Sequence, residues 1–351
     1  MANDGKNANG LRLPLPVPRG RAGEGVCRST RATRSAEDPL PNPPPAYRER
    51  EQDRRGFTLF ELLIATAVVG LILVSVVPFI VKLREEGRRA ECVSNLKLIR
   101  DGLKSYLIDN KSYPRVRYDE ARQPEGWTAF TGPDAADPFA DGGGVKPNDV
   151  TASLWLLVRN GYISDPSAFV CPSSGDWADP LVDAKGERTI AKKRGNFRSG
   201  HNLSYSVFCM FGSTIGTGDR NVWTDTLPGD CVLLADKNPG TAGGNDVTAV
   251  AAGATPEAFA RANSRNHGHA LQNVLYADGS VQPERNPYVG VGYKRSEKAS
   301  AAVPGDNIFT ALQARPIPPG QKPDNFGKGV TGRAVSPAWQ YDSYLVPTAE
   351  D

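Results

Sequence analysis

One apolar run dominates the pattern of hydrophobic and polar positions along the chain. Residues 57–81 contain a single charged side chain, Glu61, among apolar and small residues. At about 1.5 Å per residue, a helix of this length crosses a bilayer. A cleaved secretory signal would end in a small-residue site, whereas here two arginines and Gly56 directly precede the run. The pattern predicts a membrane-spanning helix over 57–81, with a bend at Pro78.

The periodicity changes after the span, over residues 82–112. Apolar side chains now recur at steps of three and four, separated by charged and amide residues, at Val93, Leu96, Ile99, Leu103 and Tyr106 or Leu107. This spacing is typical of an amphipathic helix, so we expect the same helix to continue to about Asn110, before Tyr113-Pro114. Its apolar stripe requires a sheet to cover it.

The following region, residues 113–285, combines one short helix with several strands. Residues 151–160 have helical spacing and stop at Gly161, which suits a glycine C-cap. Strand-like runs occupy 203–208, 231–235 and 273–277, and Asp278-Gly279 then predicts a hairpin turn into 280–282. The predicted fold class is α+β, with the long N-terminal helix packed on an antiparallel β-sheet head.

The two ends of the chain have a different composition. Residues 1–56 contain eight prolines and 11 Lys/Arg against 7 Asp/Glu, which predicts a disordered basic leader. Residues 286–351 are rich in Pro and Gly with few apolar runs, which predicts a partly ordered tail. Beyond the leader the charges nearly balance, at 31 basic against 32 acidic residues, so no nucleic-acid partner is indicated.

Five cysteines are present, and four of them follow the apolar run. If this part of the chain is exported, disulfides become available. Cys209 and Cys231 would close the shortest loop outside the helix, which makes them the first candidate pair. The alternative is that the cysteines are buried free thiols.

Glu61 and its surroundings carry the strongest functional signal. A carboxylate inside a membrane span is costly unless it faces protein and pairs with a cation. The segment Arg54-Arg55-Gly56-Phe57-Thr58-Leu59-Phe60-Glu61 resembles the cleavage and methylation motif of type IV pilins and type II secretion pseudopilins. A plain signal anchor with Glu61 near the interface is the alternative.

The resemblance implies a processing route and a set of partners. Prepilin peptidase would cut between Gly56 and Phe57, Phe57 would be N-methylated, and Glu61 would act in docking of subunits. Pro78 falls where many such pilins have a helix-bending proline. The implied partners are the peptidase and other pilin-like subunits. The implied location is the bacterial inner membrane, as a single-pass protein with its head periplasmic or extracellular and a pilin-like fold.

A second resemblance lies near the end of the predicted head. His267 followed by Asp278-Gly279 is similar to the prepilin-type processing-associated domain, defined by a His, nine residues and Asp-Gly; here ten residues intervene. The segments 171–173, 204–206 and 234–236 look like further landmarks of that domain. This resemblance extends the pilin-like interpretation from the helix to the head.

Metal chemistry in the head has two sets of candidates. His267, His269 and Asp278 could meet at a transition metal if the hairpin brings them together. The resemblance to secretion pseudopilins implies calcium as a candidate ligand of loop carboxylates, at Asp225, Asp230, Asp236 and Asp278, although these residues do not have the spacing of a calcium-binding loop. The favoured interpretation needs no metal and no cofactor: His267 bonds to the hairpin backbone, and Asp278 makes the tight turn.

Two functions from different classes follow. The favoured one is a membrane-anchored structural subunit without catalytic residues, which assembles through its N-terminal helix in a secretion or pilus-like system. The other is a membrane-tethered ligand-binding or metal-dependent hydrolytic ectodomain that uses the prepilin segment only as an anchor. The second would require polar groups that converge in a pocket.

Overall fold

The computed structural model describes most of the chain after the leader. The described residues are 56–119, 127–132, 136–140, 142–183, 185–211, 223–241, 246–248, 250–251, 254–294, 304–311, 337, 341–346 and 348. The chain divides into a short N-terminal unit, Met1–Leu59, and a compact unit, Phe60–Asp351. All of the predicted leader except Gly56 lies outside the described residues.

A single long helix, α1, spans Leu59–Asn110 and contains Pro78 in its interior. Residues 57–84 are all exposed, and burial begins only in the later turns. The buried positions of α1 follow steps of three and four, at Cys92, Leu96, Ile99, Gly102, Leu103 and Tyr106, so that Cys92 is buried where Val93 was predicted. We call residues 57–81 the membrane half and residues 82–110 the docked half of α1. The predicted continuous helix is confirmed.

The head, which is the α+β part after α1, is built on a four-stranded antiparallel sheet in the order β1-β2-β3-β4. Its strands are β1 (Tyr205–Val207), β2 (Val232–Asp236), β3 (Gln272–Tyr276) and β4 (Val281–Glu284). Every residue of the first three strands is buried. Each strand lies within two residues of its predicted run, so the α+β prediction is confirmed.

The β3–β4 hairpin shows how the sheet meets α1. Asp278 Oδ1 accepts a hydrogen bond from the Ser280 amide at 2.7 Å, and Gly279 has a φ of 89°, which favours glycine. Arg100 of α1 donates a hydrogen bond to the Gly279 carbonyl at 3.1 Å. The predicted Asp-Gly turn therefore both closes the hairpin and contacts the docked half of α1.

A second helix, α2 (Val150–Arg159), is buried on almost every side. Its N-cap Asp149 accepts a hydrogen bond from the Ala152 amide at 2.7 Å, and Gly161 follows it with a φ of 81°. Trp155 is fully buried, with its ring centroid 4.9 Å from that of Phe197. A third helix, α3 (Pro256–Ala262), was not predicted.

The described parts of the predicted tail belong to the core of the head. Phe208, next to β1, forms an antiparallel bridge with Leu345, and the Val346 amide donates to the Val207 carbonyl at 3.0 Å. The Leu345 amide bonds to the Ile308 carbonyl at 2.8 Å. The core of the head thus extends beyond residue 285; much of the remaining tail, including 312–336, lies outside the described residues.

The structure does not join Cys209 to Cys231. Both are free thiols, as are Cys92 and Cys171, and all four are completely buried. Burial raises the pKa of both Cys209 and Cys231 far above the usual thiol range, which keeps them protonated. The alternative of buried free thiols describes this pair better than the predicted bridge.

Gly102 allows the packing of α1 on the head to be tested. A Cβ at this position would lie 2.9 Å from Ile163 Cγ1, whereas a Cβ at Gly87 meets nothing. Both Gly→Ala changes gain the same helical propensity, but Gly102→Ala also overpacks a buried contact. We expect the free energy of unfolding of the Gly102→Ala variant to be about 1–3 kcal/mol lower than that of the Gly87→Ala variant. Denaturant titration of the detergent-solubilised chain, followed by circular dichroism, measures this difference, and equal stabilities would contradict the packing described.

Candidate functional site

The membrane half of α1 presents an apolar surface on all sides. Among the described residues, α1 is the one helix long and apolar enough to cross a membrane, and none of its most apolar window is buried. Phe57 is 90% exposed, and Leu71 and Val74 are more than 70% exposed. Soluble proteins rarely expose apolar patches of this extent, so this surface requires lipid or neighbouring helices.

The predicted processing residues lie at the accessible beginning of this helix. Gly56 and Phe57 precede the first turn of α1, and both are exposed. Glu61 lies in that first turn and is also exposed, where a negative charge is favoured by the helix dipole. The structure therefore leaves the Gly56–Phe57 bond outside regular secondary structure.

A second candidate site lies where the docked half of α1 meets the head. Cys92 of α1, Cys171, Asp236 at the end of β2 and His267 are all buried. Their potential ligand atoms all lie within 4.8 Å of one another. We call these four residues the His267 cluster. Four separate segments of the chain thus bring their polar side chains to one point.

The distances within the His267 cluster are short. Cys92 Sγ lies 3.2 Å from Asp236 Oδ1, to which it donates. His267 Nε2 lies 3.5 Å from Cys171 Sγ and 3.5 Å from Asp236 Oδ2. Each member therefore contacts at least one other member directly.

An unusual turn presents His267 to the cluster. The turn Asn266–His269 has left-handed backbone at His267, with φ 55° and ψ 26°, a conformation that costs free energy for a residue other than glycine. The side-chain amide of Asn266 donates to the Ser204 carbonyl at 3.0 Å and to Asp236 Oδ1 at 3.1 Å. These two bonds hold the strained turn against the sheet.

A carboxylate from α1 bonds to the other side of the imidazole. Glu85 Oε1 lies 2.7 Å from His267 Nδ1, and Ser173 Oγ donates to Glu85 Oε2 at 2.9 Å. Arg89, one turn further along α1, makes an ion pair with the same carboxylate at 3.4 Å. The imidazole ring is thus held between a helix carboxylate and the buried cluster.

The electrostatics of the cluster favour a charged imidazole beside a thiol. Burial alone would lower the pKa of His267, but its contacts with Cys171, Asp236 and Glu85 outweigh this and raise the pKa to about 9. The neighbouring side chains of Cys92 and His267 lower the pKa of Cys171 to about 7, in spite of its burial. Burial raises the pKa of Cys92 and of Asp236. The cluster thus combines one readily ionised thiol with one strongly basic imidazole.

The other predicted site residues lie apart from this cluster. His269 Nδ1 is 3.2 Å from the Asn263 carbonyl, and Asp278 accepts the turn hydrogen bond. Of the loop carboxylates considered for calcium, Asp230 accepts from the Gly292 amide at 2.8 Å, while Asp236 belongs to the cluster. His267 bonds to side chains, and not to the hairpin backbone as the metal-free interpretation expected.

Three members of the cluster were not predicted as site residues together with His267. Cys92 is only one more member of the buried stripe on α1, and its spacing alone carries no sign of chemistry. Cys171 and Asp236 stand in segments that resembled landmarks of the processing-associated domain. Those landmarks were therefore the one signal by which the cluster could have been found.

Comparison with known proteins identifies one matching family and several similar relatives. Residues 52–77 match the family described as the prokaryotic N-terminal methylation motif. The type II secretion system core protein G of Klebsiella pneumoniae is 28% identical over 148 residues, which cover 40% of this chain and 99% of the relative. That of Escherichia coli strain K12 is 31% identical over 110 residues, which cover 31% of this chain and 74% of the relative.

A pilin is also similar, over a shorter segment. The type IV major pilin protein PilA of Myxococcus xanthus is 32% identical over 71 residues, which cover 20% of this chain and 32% of the relative. No solved structure gives a significant match to the chain. The similarity is thus to pilin-like proteins, and much of the head lies beyond it.

Proposed function

Because the chain belongs to the family of the type II secretion system core protein G, we propose that it is cut between Gly56 and Phe57 and assembles with other pilin-like subunits through α1. A prepilin peptidase makes the cut, and Phe57 is methylated at the new N-terminus. The observation that carries the proposal is the form of α1, in which an exposed apolar membrane half continues into a half docked in the head.

The surroundings of Gly56 support a role in recognition by a processing enzyme. A Cβ at Gly56 would meet no atom within 4 Å, and the residue is not among the glycines with positive φ. The fold therefore tolerates a side chain at this position. Recognition by a peptidase explains the glycine, because a side chain next to the scissile bond would have to fit the enzyme.

Glu61 supports assembly through electrostatics in the membrane. A carboxylate exposed on a lipid-embedded helix has a high desolvation cost, which a cation of a neighbouring subunit offsets. After the cut, the α-amino group of Phe57 supplies such a cation at the same end of the helix. Pairing of Glu61 with the Phe57 amine of the next subunit fixes the relative height of the two helices.

The orientation follows from the processing step. The leader stays on the cytoplasmic side of the inner membrane, where it is removed, and the head lies on the periplasmic side. Basic residues flank the span on both sides, since Lys82, Arg84, Arg88 and Arg89 follow it. The distribution of positive charge therefore gives no clear orientation, and the prepilin motif supports this one.

Hydrolysis by the head is the second candidate function, and the arrangement of three side chains favours it. Cys171, His267 and Glu85 are linked in the order of a thiol, an imidazole and a carboxylate. However, Cys171 is 0% exposed and His267 is 3% exposed. Nucleophilic attack requires a substrate carbon to reach the sulfur, so this burial favours the non-enzymatic structural role.

Mass spectrometry of the native protein tests the processing step. We expect a chain that begins at Phe57 and carries one additional methyl group. Gly56→Val should leave the precursor uncut without destabilising the fold, because the position is open. Gly70→Val, at another open glycine, is the matched control and should be processed normally. A mature chain that retains residues before Phe57 would contradict the proposal.

Crosslinking in the membrane tests the role of Glu61. Glu61→Ala should reduce the yield of crosslinked subunits severalfold, since the desolvated ion pair between neighbours is lost. Glu86→Ala, an exposed carboxylate of α1 beyond the membrane half, should retain the wild-type yield. N-terminal processing is measured in the same samples, so that an assembly defect is separated from a cleavage defect. Equal crosslinking of the two variants would rule out the proposed pairing.

A further inference from the structure

We propose that the His267 cluster binds a zinc ion through Cys92, Cys171, Asp236 and His267. This site lies between the docked half of α1 and the head, and it does not depend on processing at Gly56. It differs from the transition-metal site considered from the sequence, with which it shares only His267, and it takes Asp236 from the calcium candidates. Its role is to fasten the docked half of α1 to the head.

The spacing of the donor atoms fits a tetrahedral ion. Zinc bonds of about 2.3 Å to sulfur and about 2.0–2.2 Å to nitrogen and oxygen place the ligand atoms about 3.3–3.8 Å apart. The contacts of 3.5 Å from His267 Nε2 to Cys171 and to Asp236 match this range, and the 3.2 Å contact between Cys92 and Asp236 is slightly shorter. All four donors lie within 4.8 Å of one another, so modest movements complete the tetrahedron.

The types of donor atom select the metal. Two thiolates and one imidazole are ligands for zinc, whereas calcium and magnesium prefer oxygen ligands throughout. Four protein ligands leave no open position for water or substrate, which is typical of a structural zinc site. All four side chains are buried, so a bound ion would be shielded from solvent.

The residues around the cluster form hydrogen bonds to its side chains in the way that residues around a metal site orient the metal ligands. A histidine that binds a metal through one ring nitrogen usually donates its other N–H to a carboxylate, which fixes the tautomer. Glu85 occupies that position, 2.7 Å from Nδ1. Asp236 is oriented by the Asn273 amide at 2.7 Å and by the Asn266 side chain at 3.1 Å.

One contact competes with the metal. Asn273 Nδ2 lies 3.1 Å from His267 Nε2, the nitrogen that zinc requires. Zinc therefore replaces this hydrogen bond when it binds. Ionisation of the two thiols and loss of a proton from His267 accompany binding, so protons are released.

The strained turn gives an independent reason for a ligand. His267 adopts left-handed backbone that a non-glycine residue disfavours, and such strain is characteristic of functional positions. Without a metal, four ionisable side chains also remain buried at close range, which is costly. A zinc ion offsets both costs by direct bonds to the same four side chains.

The alternative to metal binding is a disulfide between Cys92 and Cys171. It would consume both sulfur ligands and leave Asp236 and His267 without a cation to bind. The structure has both cysteines as free thiols. The convergence of a carboxylate and an imidazole on the same point favours the metal.

Metal analysis of the full chain tests the proposal. The chain, carrying a tag other than polyhistidine, is extracted from its membrane in mild detergent without chelators. We expect about one zinc ion per chain, and after exchange with cobalt a visible spectrum typical of a tetrahedral thiolate site. Absence of zinc, together with failure to take up zinc or cobalt after reduction, would overturn the proposal. A Cys92–Cys171 disulfide in the freshly isolated chain would overturn it equally.

Variants separate the cluster from adventitious binding. Cys92→Ser and His267→Gln should lose the zinc, whereas Cys209→Ser and His269→Gln should keep it, since these residues lie outside the cluster. If the variants of the zinc ligands fail to fold, the Glu85→Gln variant tests the proposed site instead, because this change removes no zinc ligand. We expect it to weaken zinc binding about 10–100-fold in competition with a chelator. Unchanged affinity in Glu85→Gln, or zinc retained in Cys92→Ser, would contradict the proposed site.

Discussion

Burial of the apolar stripe of α1 against the head is the interaction on which the rest of the structure depends. The membrane half of the helix is exposed along its whole length, whereas the docked half carries the buried stripe that packs against the head. Leu96, Ile99 and Leu103 are at most 1% exposed, and each buried side chain of this kind contributes about 1.5–3 kcal/mol. The orientation of the head on α1 is therefore set by packing along this stripe.

The His267 cluster lies on the same contact surface and adds specificity to it. Apolar packing alone permits a helix to rotate or slide by a turn at modest cost. Glu85 and Cys92, almost two turns apart on α1, each bond to a fixed partner in the head, at 2.7 Å and 3.2 Å respectively. A shift of the helix would leave buried polar groups unpaired, which is far more costly than loss of apolar contact.

The elements that could be predicted are those encoded by local patterns. The steps of three and four along α1, the β-rich runs of the strands and the Asp278-Gly279 turn each depend on neighbouring residues, and each was confirmed. The His267 cluster did not follow from such local patterns, because its members are far apart in the chain and meet only in the folded protein; the landmark segments around Cys171 and Asp236 were the one signal that pointed to it. The same reason applies to Ile308 and Leu345, whose burial depends on contacts with distant strands. The left-handed backbone at His267 likewise carried no local signal.

The bridge between Phe208 and Leu345 has a consequence for the order of folding. Residues 341–346 lie beside β1 and supply hydrogen bonds that its outer side would otherwise lack. Because these partners are so distant in sequence, the sheet edge stays open until residues 341–346 have been synthesised. During that interval the nascent head exposes an unpaired strand at which two copies could associate wrongly. A chaperone that covers this edge as the chain emerges would increase the yield of correctly folded subunits.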